Sequence, residues 1–268
     1  MEIDRRAFLA TLGGAAAIEA MPSEALAEAL EHHMMERLDA AVDGEASAVA
    51  AEPEPIIRRG AGSIFGGGGP SGGAPPALKK LEPMPDKPTL VDFFKLRFAP
   101  ATHVLQSATD AMKKGEKEET VLACLLHDVV LNLIKVDHGW WGAQMMEPYV
   151  SEKVSWGIRY HQALRFYPDH SVGYEYPELY TRIFGKDYVP LPYIKETYEF
   201  ARNHKWYMEA RMITVHDLYA FDPNMKVSLD PFIDIIGRHF KQPKEGLGFD
   251  GSPVAHMWRS LIYPDNPL

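Results

Sequence analysis

His127 and Asp128 stand side by side in the run Ala123-Cys124-Leu125-Leu126-His127-Asp128-Val129-Val130. An imidazole and a carboxylate are costly to bury among apolar residues unless something pairs with them. Four more residues of metal-ligating type bracket the pair: His103, 24 residues before His127; His138, 11 after it; His161, 23 further on; and Asp217, 56 beyond that. Neutral imidazoles with carboxylates suit divalent iron, manganese or zinc. One His-Asp dipeptide can serve two ions, with the imidazole on one and the carboxylate across both. A single buried histidine is as readily a hydrogen-bonded core residue. Six such positions in order, in segments with little other charge, point instead to a buried two-metal centre.

The elements that must position these residues read as helices, and no stretch alternates as a half-buried strand would. The folded domain is expected to begin near Thr89. Thr102 is placed to cap a helix carrying His103, Val104, Leu105, Ala108 and Met112 that ends at Gly115. Glu118 to Val136 reads as a second helix, apolar nearly all round and therefore central, with His127-Asp128 in its middle. A third runs from His138 to Met146. Ser151 is placed to cap a fourth reaching Tyr167, with Val154, Ile158, His161 and Arg165 on one face. An irregular Tyr/Pro-rich insert, Asp169 to Pro192, precedes a long helix from about Tyr193 to Phe221 that carries Asp217. Asp230-Pro231 starts another. Ligands arriving from separate helices around one cavity are how bundle metal sites are built.

The N-terminal third differs. Arg5-Arg6-Ala7-Phe8-Leu9 followed by a short Ala/Gly stretch reads as a twin-arginine export signal, too short to span a bilayer. Ala25-Leu26-Ala27 has the small-x-small form of a cleavage site. Ser23 to Val42 is a candidate helix, so residues 1–42 are assigned to export. Residues 43–88 hold Glu52-Pro53-Glu54-Pro55 and a Gly/Pro run through Pro76, and read as a flexible tether. Gly66 to Gly69 is no phosphate loop, because no Lys-Ser/Thr follows. The domain proper is then 89–268, in a periplasmic protein whose partners include the export machinery and no integral membrane segment. The formal net charge of −9 and the lack of a basic stripe argue against nucleic acid. The single cysteine, Cys124, rules out an intrachain disulfide and reads as a core residue.

The ordered set His103…His127-Asp128…His138…His161…Asp217 resembles the HD-domain superfamily. With six ligands it is similar to the mixed-valent diiron oxygenases of that superfamily, the myo-inositol oxygenase and phosphonate-cleaving types. The local matches are Ala101-Thr102-His103-Val104-Leu105-Gln106-Ser107-Ala108, Leu125-Leu126-His127-Asp128, His138-Gly139-Trp140-Trp141-Gly142-Ala143 and Tyr160-His161-Gln162-Ala163-Leu164-Arg165. They span about residues 90–225. The resemblance implies an all-α HD-domain helical bundle with a dinuclear centre held by His103, His127, Asp128, His138, His161 and Asp217. Asp128 would bridge the ions and is the residue assigned to catalysis. Arg165 matches a basic residue one turn after the fourth histidine, which makes it the expected anchor for an anionic substrate group. Trp140 is a candidate wall of the pocket. Leu131 stands where the resembled enzymes place a polar or basic contact.

The activity expected is that of a non-haem diiron oxygenase acting with O2 on a small hydroxylated, anionic organic substrate. Iron is the first metal, with manganese or zinc as alternatives. A metal-dependent phosphohydrolase is the second reading, although Val129-Val130-Leu131 supplies no cation for a phosphate. A non-catalytic metal- or ligand-binding periplasmic protein is the third.

Overall fold

The computed structural model describes residues 8, 11, 23–46, 82–85, 88–98, 101–131, 134, 136–185, 188–218 and 220–241. Among them every regular element is a helix, so the chain is all-α there, with one isolated bridge between Asp169 and Tyr174. The α-helices are α1 (Ser23–Ala46), α2 (Leu90–Leu96), α3 (Thr102–Lys113), α4 (Glu118–Leu126), α5 (His138–Met146), α6 (Glu152–Leu164), α7 (Glu178–Phe184), α8 (Pro192–Arg202), α9 (Tyr207–Leu218) and α10 (Ile233–His239). Short 3-10 turns cover His170–Val172 and Asp230–Phe232. The expected export motif at Arg5-Arg6, and most of the tether between 47 and 81, lie outside the described residues.

α6 is the hub. It packs along α9, α5, α4 and α8, while α3 pairs with α4 and α9 crosses both. Two apolar clusters result. One gathers α2, α3, α4, α5 and α10 around Phe93, Leu122, Leu125, Ile158 and Phe232. The other gathers α1, α7 and α8 around Leu30, Leu164, Ile183, Ile194 and Ala201. α6 and α9 feed both, through Ile158 and Ile213 on one side and Leu164 and Ala210 on the other. The polar residues singled out from the sequence sit on this pair and its neighbours.

Close approach of α5 to α6 depends on Gly139. A Cβ there would stand 2.8 Å from the Ile158 carbonyl oxygen and 3.0 Å from His161 Cε1. The main chain of Gly139 donates to Gln162 Oε1 at 2.7 Å, so the contact is bonded as well as tight.

Several expected boundaries shift, each for a local reason. Thr102 is the first residue of α3 and not its cap; Ala101 holds that position without a side-chain bond. Ser151 sits at the N-cap of α6 with extended backbone, yet its hydroxyl reaches Glu119 Oε1 at 2.5 Å on α4. α4 stops at Leu126, so His127-Asp128 terminates a helix instead of lying within one. There His127 Nδ1 lies 2.8 Å from the Cys124 carbonyl, an acceptor the continuing helix would use, and Leu131 N–H bonds the Asp128 carbonyl at 3.0 Å, an i to i+3 turn. The long helix expected over 193–221 is two. At the break, Asn203 Nδ2 takes the Glu199 carbonyl and His204 Nδ1 accepts from Trp206 N–H, so side chains replace the ladder. The insert holds a helix of its own, α7. α1, set apart from the domain in the sequence reading, packs against α3 and into the second cluster, with Phe8 beside it.

Candidate metal centre

Four imidazoles converge, each with its outer nitrogen against an oxygen. His103 Nδ1 is 3.1 Å from the Ala220 carbonyl, His127 Nδ1 2.8 Å from that of Cys124, and His161 Nδ1 2.6 Å from that of Ile158. His138 Nδ1 is 2.6 Å from Glu28 Oε2. A carbonyl or carboxylate at Nδ1 keeps the proton there and leaves the Nε2 lone pair for a ligand, the usual arrangement behind metal-bound histidine. All four Nε2 atoms point inward, onto Asp128 and Asp217.

The carboxylate of Asp128 divides the four into pairs. Its Oδ2 lies 3.4 Å from His103 Nε2 and 3.3 Å from His127 Nε2. Its Oδ1 lies 2.9 Å from His138 Nε2 and 3.6 Å from His161 Nε2. Asp217 Oδ1 joins the first pair, 3.0 Å from His103 Nε2 and 3.9 Å from His127 Nε2. Donors around one divalent ion at about 2.1 Å stand roughly 3.0 Å apart in octahedral and 3.4 Å in tetrahedral geometry, and four of these six separations lie within 0.1 Å of that range, the other two being wider. His103 Nε2, His127 Nε2, both oxygens of Asp128 and Asp217 Oδ1 are buried and make no hydrogen bond. Buried polar atoms are normally satisfied, so a convergent set of orphans needs a partner. Two groups, His103–His127–Asp128 and Asp128–His138–His161, could each hold a metal ion.

The electrostatics agree. Burial pushes the Asp128 carboxyl up, but the neighbouring His127 and His138 outweigh it and hold its pKa well below the usual range. Burial likewise opposes ionisation of Asp217, and His103 beside it lowers it on balance. Burial disfavours charge on His103, yet Asp128 and Asp217 overcome it and raise its pKa well above the ordinary imidazole value. His161 is pushed down, by burial first and by His127 and His138 after it. Two ionised carboxylates in a buried site call for positive charge, and a divalent ion meets that demand while leaving the imidazoles neutral.

Surrounding bonds hold the candidate ligands in place. Thr214 Oγ1 reaches the His161 carbonyl at 3.0 Å, tying α9 to α6. Gln106 Nε2 donates to the Asp222 carbonyl at 2.6 Å and its Oε1 accepts from Asp222 N–H at 2.9 Å. This clamps the segment after α9 to α3, and Phe221 stacks on the His103 ring at 4.4 Å. A cavity opens beside Asp217, lined by Met34, Tyr174, Leu179, Tyr180 and Phe221 together with Arg165 and Glu31.

Arg165 is almost wholly buried, and its guanidinium donates to Glu31 through one terminal nitrogen and to Glu28 through the other. The anion anchor expected from the sequence is therefore already paired with two carboxylates of α1. Trp140 does not line the cavity. Lying two residues from His138, it is turned about 200° round α5, where it is half-exposed and packs edge-on against Trp141 at 4.7 Å. His216, beside Asp217, is buried away from the centre with Nδ1 2.7 Å from Asp110 Oδ2. Leu131 is fully buried, and burial pushes the Cys124 thiol up to about 12.

The residues missed from the sequence are Glu28 and Glu31. Both lie on the buried face of α1 with Ala27, Leu30, Met35 and Leu38. Acidic residues inside an apolar stripe were the available signal.

The chain matches no protein-family model and no curated protein.

Proposed function

We propose that this chain is an HD-superfamily metalloenzyme with a dinuclear centre, an oxygenase acting on a small hydroxylated substrate in the cavity beside Asp217. The observation that carries the reading is the division of Asp128: one oxygen faces His103 and His127, the other His138 and His161. His103, His127, Asp128 and Asp217 would hold one ion, and Asp128, His138 and His161 the other. Iron bound there would supply the redox reactivity toward dioxygen that no side chain of this protein offers. The chain's own residues do the rest. The Nδ1 contacts orient the four imidazoles, Thr214 and Gln106 hold α9 and its following segment in register, and Tyr174, Tyr180 and Phe221 line the cavity where substrate would sit.

The donor set favours iron over magnesium-type ions, since it is rich in imidazole. Arg165, the cation lining the cavity, is already paired with Glu28 and Glu31, and Leu131 adds none. That weighs against phosphate ester hydrolysis. It also moves the proposed substrate from an anion to a neutral hydroxyl compound. Export by the twin-arginine route belongs to the same proposal with one constraint. Cleavage after Ala27 would cut into α1 and leave Glu28 at the new terminus.

The test is metal content and oxygen chemistry together. Anaerobically purified protein should hold two iron ions per chain, coupled by EPR or Mössbauer criteria, and Asp128→Ala should lose both. Oxygen uptake should then rise with one of a panel of small polyols and α-hydroxy compounds, and stop when zinc replaces iron. Anaerobic release of phosphate from a phosphoester at ordinary enzyme rates would replace this reading with the hydrolase.

A further inference from the structure

We infer that Glu28 is a positioning residue of the metal centre, setting His138 from a helix outside the bundle that carries the ligands. The inference rests on reading the six residues as that centre. Three of the imidazoles are oriented by main-chain carbonyls, two of them from the turn just before the histidine on its own helix. His138 has no such turn. It is the first residue of α5, and the residue before it, Asp137, adopts a left-handed conformation with φ 56°. Its Nδ1 meets Glu28 Oε2 at 2.6 Å instead.

Glu28 is itself held. It is fully buried, and its Oε1 accepts from Gln162 Nε2 at 2.7 Å and from Arg165. Gln162 in turn accepts from Gly139 N–H, one residue past His138. Hydrogen bonds thus join α1, α6 and the start of α5, and they set Glu28 Oε2, which has no hydrogen bond of its own, 2.6 Å from His138 Nδ1. A carboxylate at Nδ1 also makes the imidazole a stronger donor than a carbonyl does. Glu28, Glu31 and His138 could be taken as a third cation site by proximity. The Arg165 guanidinium already spans the two carboxylates, so that cation is supplied by the chain.

His138 belongs to one half of the centre only, with His161 and Asp128 Oδ1. Losing Glu28 should therefore weaken one ion and spare the other. The experiment titrates the full-length metal-free chain with cobalt(II) by calorimetry, with stoichiometry from elemental analysis and folding followed by circular dichroism. Wild type should bind two ions. Glu28→Gln should keep one at unchanged affinity and weaken the second about 10–100-fold. Glu28→Asp keeps the charge beside Arg165 but draws it back from His138, and should do the same. Glu36→Gln, on the exposed face of α1, is the control. In a His138→Ala background Glu28→Gln should cause no further loss, because its effect passes through that imidazole. Two ions at wild-type affinity in both Glu28 variants, equal weakening of both ions, or an additive loss with His138→Ala would overturn the inference alone. A wild-type chain that binds fewer than two ions would reject the metal-centre reading and this inference with it.

Discussion

Gly139→Ala isolates the contact that brings α5 onto α6. The added Cβ would sit 2.8 Å from the Ile158 carbonyl oxygen, against an ordinary carbon–oxygen contact of about 3.4 Å, so the helices must part by roughly 0.6 Å. That oxygen cannot yield on its own, since it is main chain and also receives His161 Nδ1 at 2.6 Å. Overpacking of this kind costs about 1–3 kcal/mol. For a chain of this length that is a fall in Tm of about 2–12 °C. The displacement is also about three times the 0.2 Å tolerance of a metal–ligand bond. The ion shared by His138, His161 and Asp128 should weaken at least tenfold, and the other ion should stay. Gly142→Ala supplies the internal control, because its Cβ would meet nothing closer than 3.5 Å. It should be neutral, or stabilising by up to about 1 kcal/mol through helix propensity. Thermal melts by circular dichroism and metal titration measure both variants. A Gly139→Ala protein that melts within a degree of wild type and holds both ions at wild-type affinity would refute the packing argument.

Arg165→Met should destabilise the fold by about 3–5 kcal/mol, since it leaves Glu28 and Glu31 buried beside one another without their cation. Urea denaturation checks it, and stability within 1 kcal/mol of wild type would show the triad is not buried as described. At the surface, Glu118 is held down to about 2 by Arg238 and His239 on α10. A carboxyl lowered on folding contributes above its unfolded value near 4.5, and that contribution is lost as the pH falls toward about 2. The stability gap between wild type and Glu118→Gln should therefore be present at pH 7 and shrink at pH 3. A gap that does not change with pH would assign Glu118 a packing role only.

Much of the helical layout was legible because its signals are local. α5 begins at His138 and ends at Met146 as its residues suggest, and Gly115, with φ 77°, closes the turn after α3. The six ligand-type residues could be picked out because few other polar groups occupy their apolar segments. Helix ends were harder. The end of α4 is decided by the His127 imidazole taking a carbonyl, and the break before α9 by Asn203 and His204, choices that periodicity does not contain. Arg165 shows the limit most plainly. Its place one turn after His161 is in the sequence, but its partners are fixed by tertiary contact with α1. Glu28 and Glu31 bond Gln162 and Arg165 across 134 residues or more, from a segment whose composition suggested a different use.

Those separations have a consequence for how the molecule is made. Arg165 meets Glu28 across 137 residues, and Gln106 meets Asp222 across 116. The two spans overlap, so almost the whole described chain, from α1 to the segment after α9, must be present before the centre is complete. Closing such long loops is entropically slow. A chain emerging in order can form the α3–α4 pair early. It cannot bring the four His and two Asp side chains together until α9 has been synthesised, nor can α1 find its place before α5 and α6 exist. The proposed metal site would thus report completion: a chain that stalls or is cut short of Asp217 has the other five His and Asp positions in its sequence and still lacks the second carboxylate beside His103 and His127.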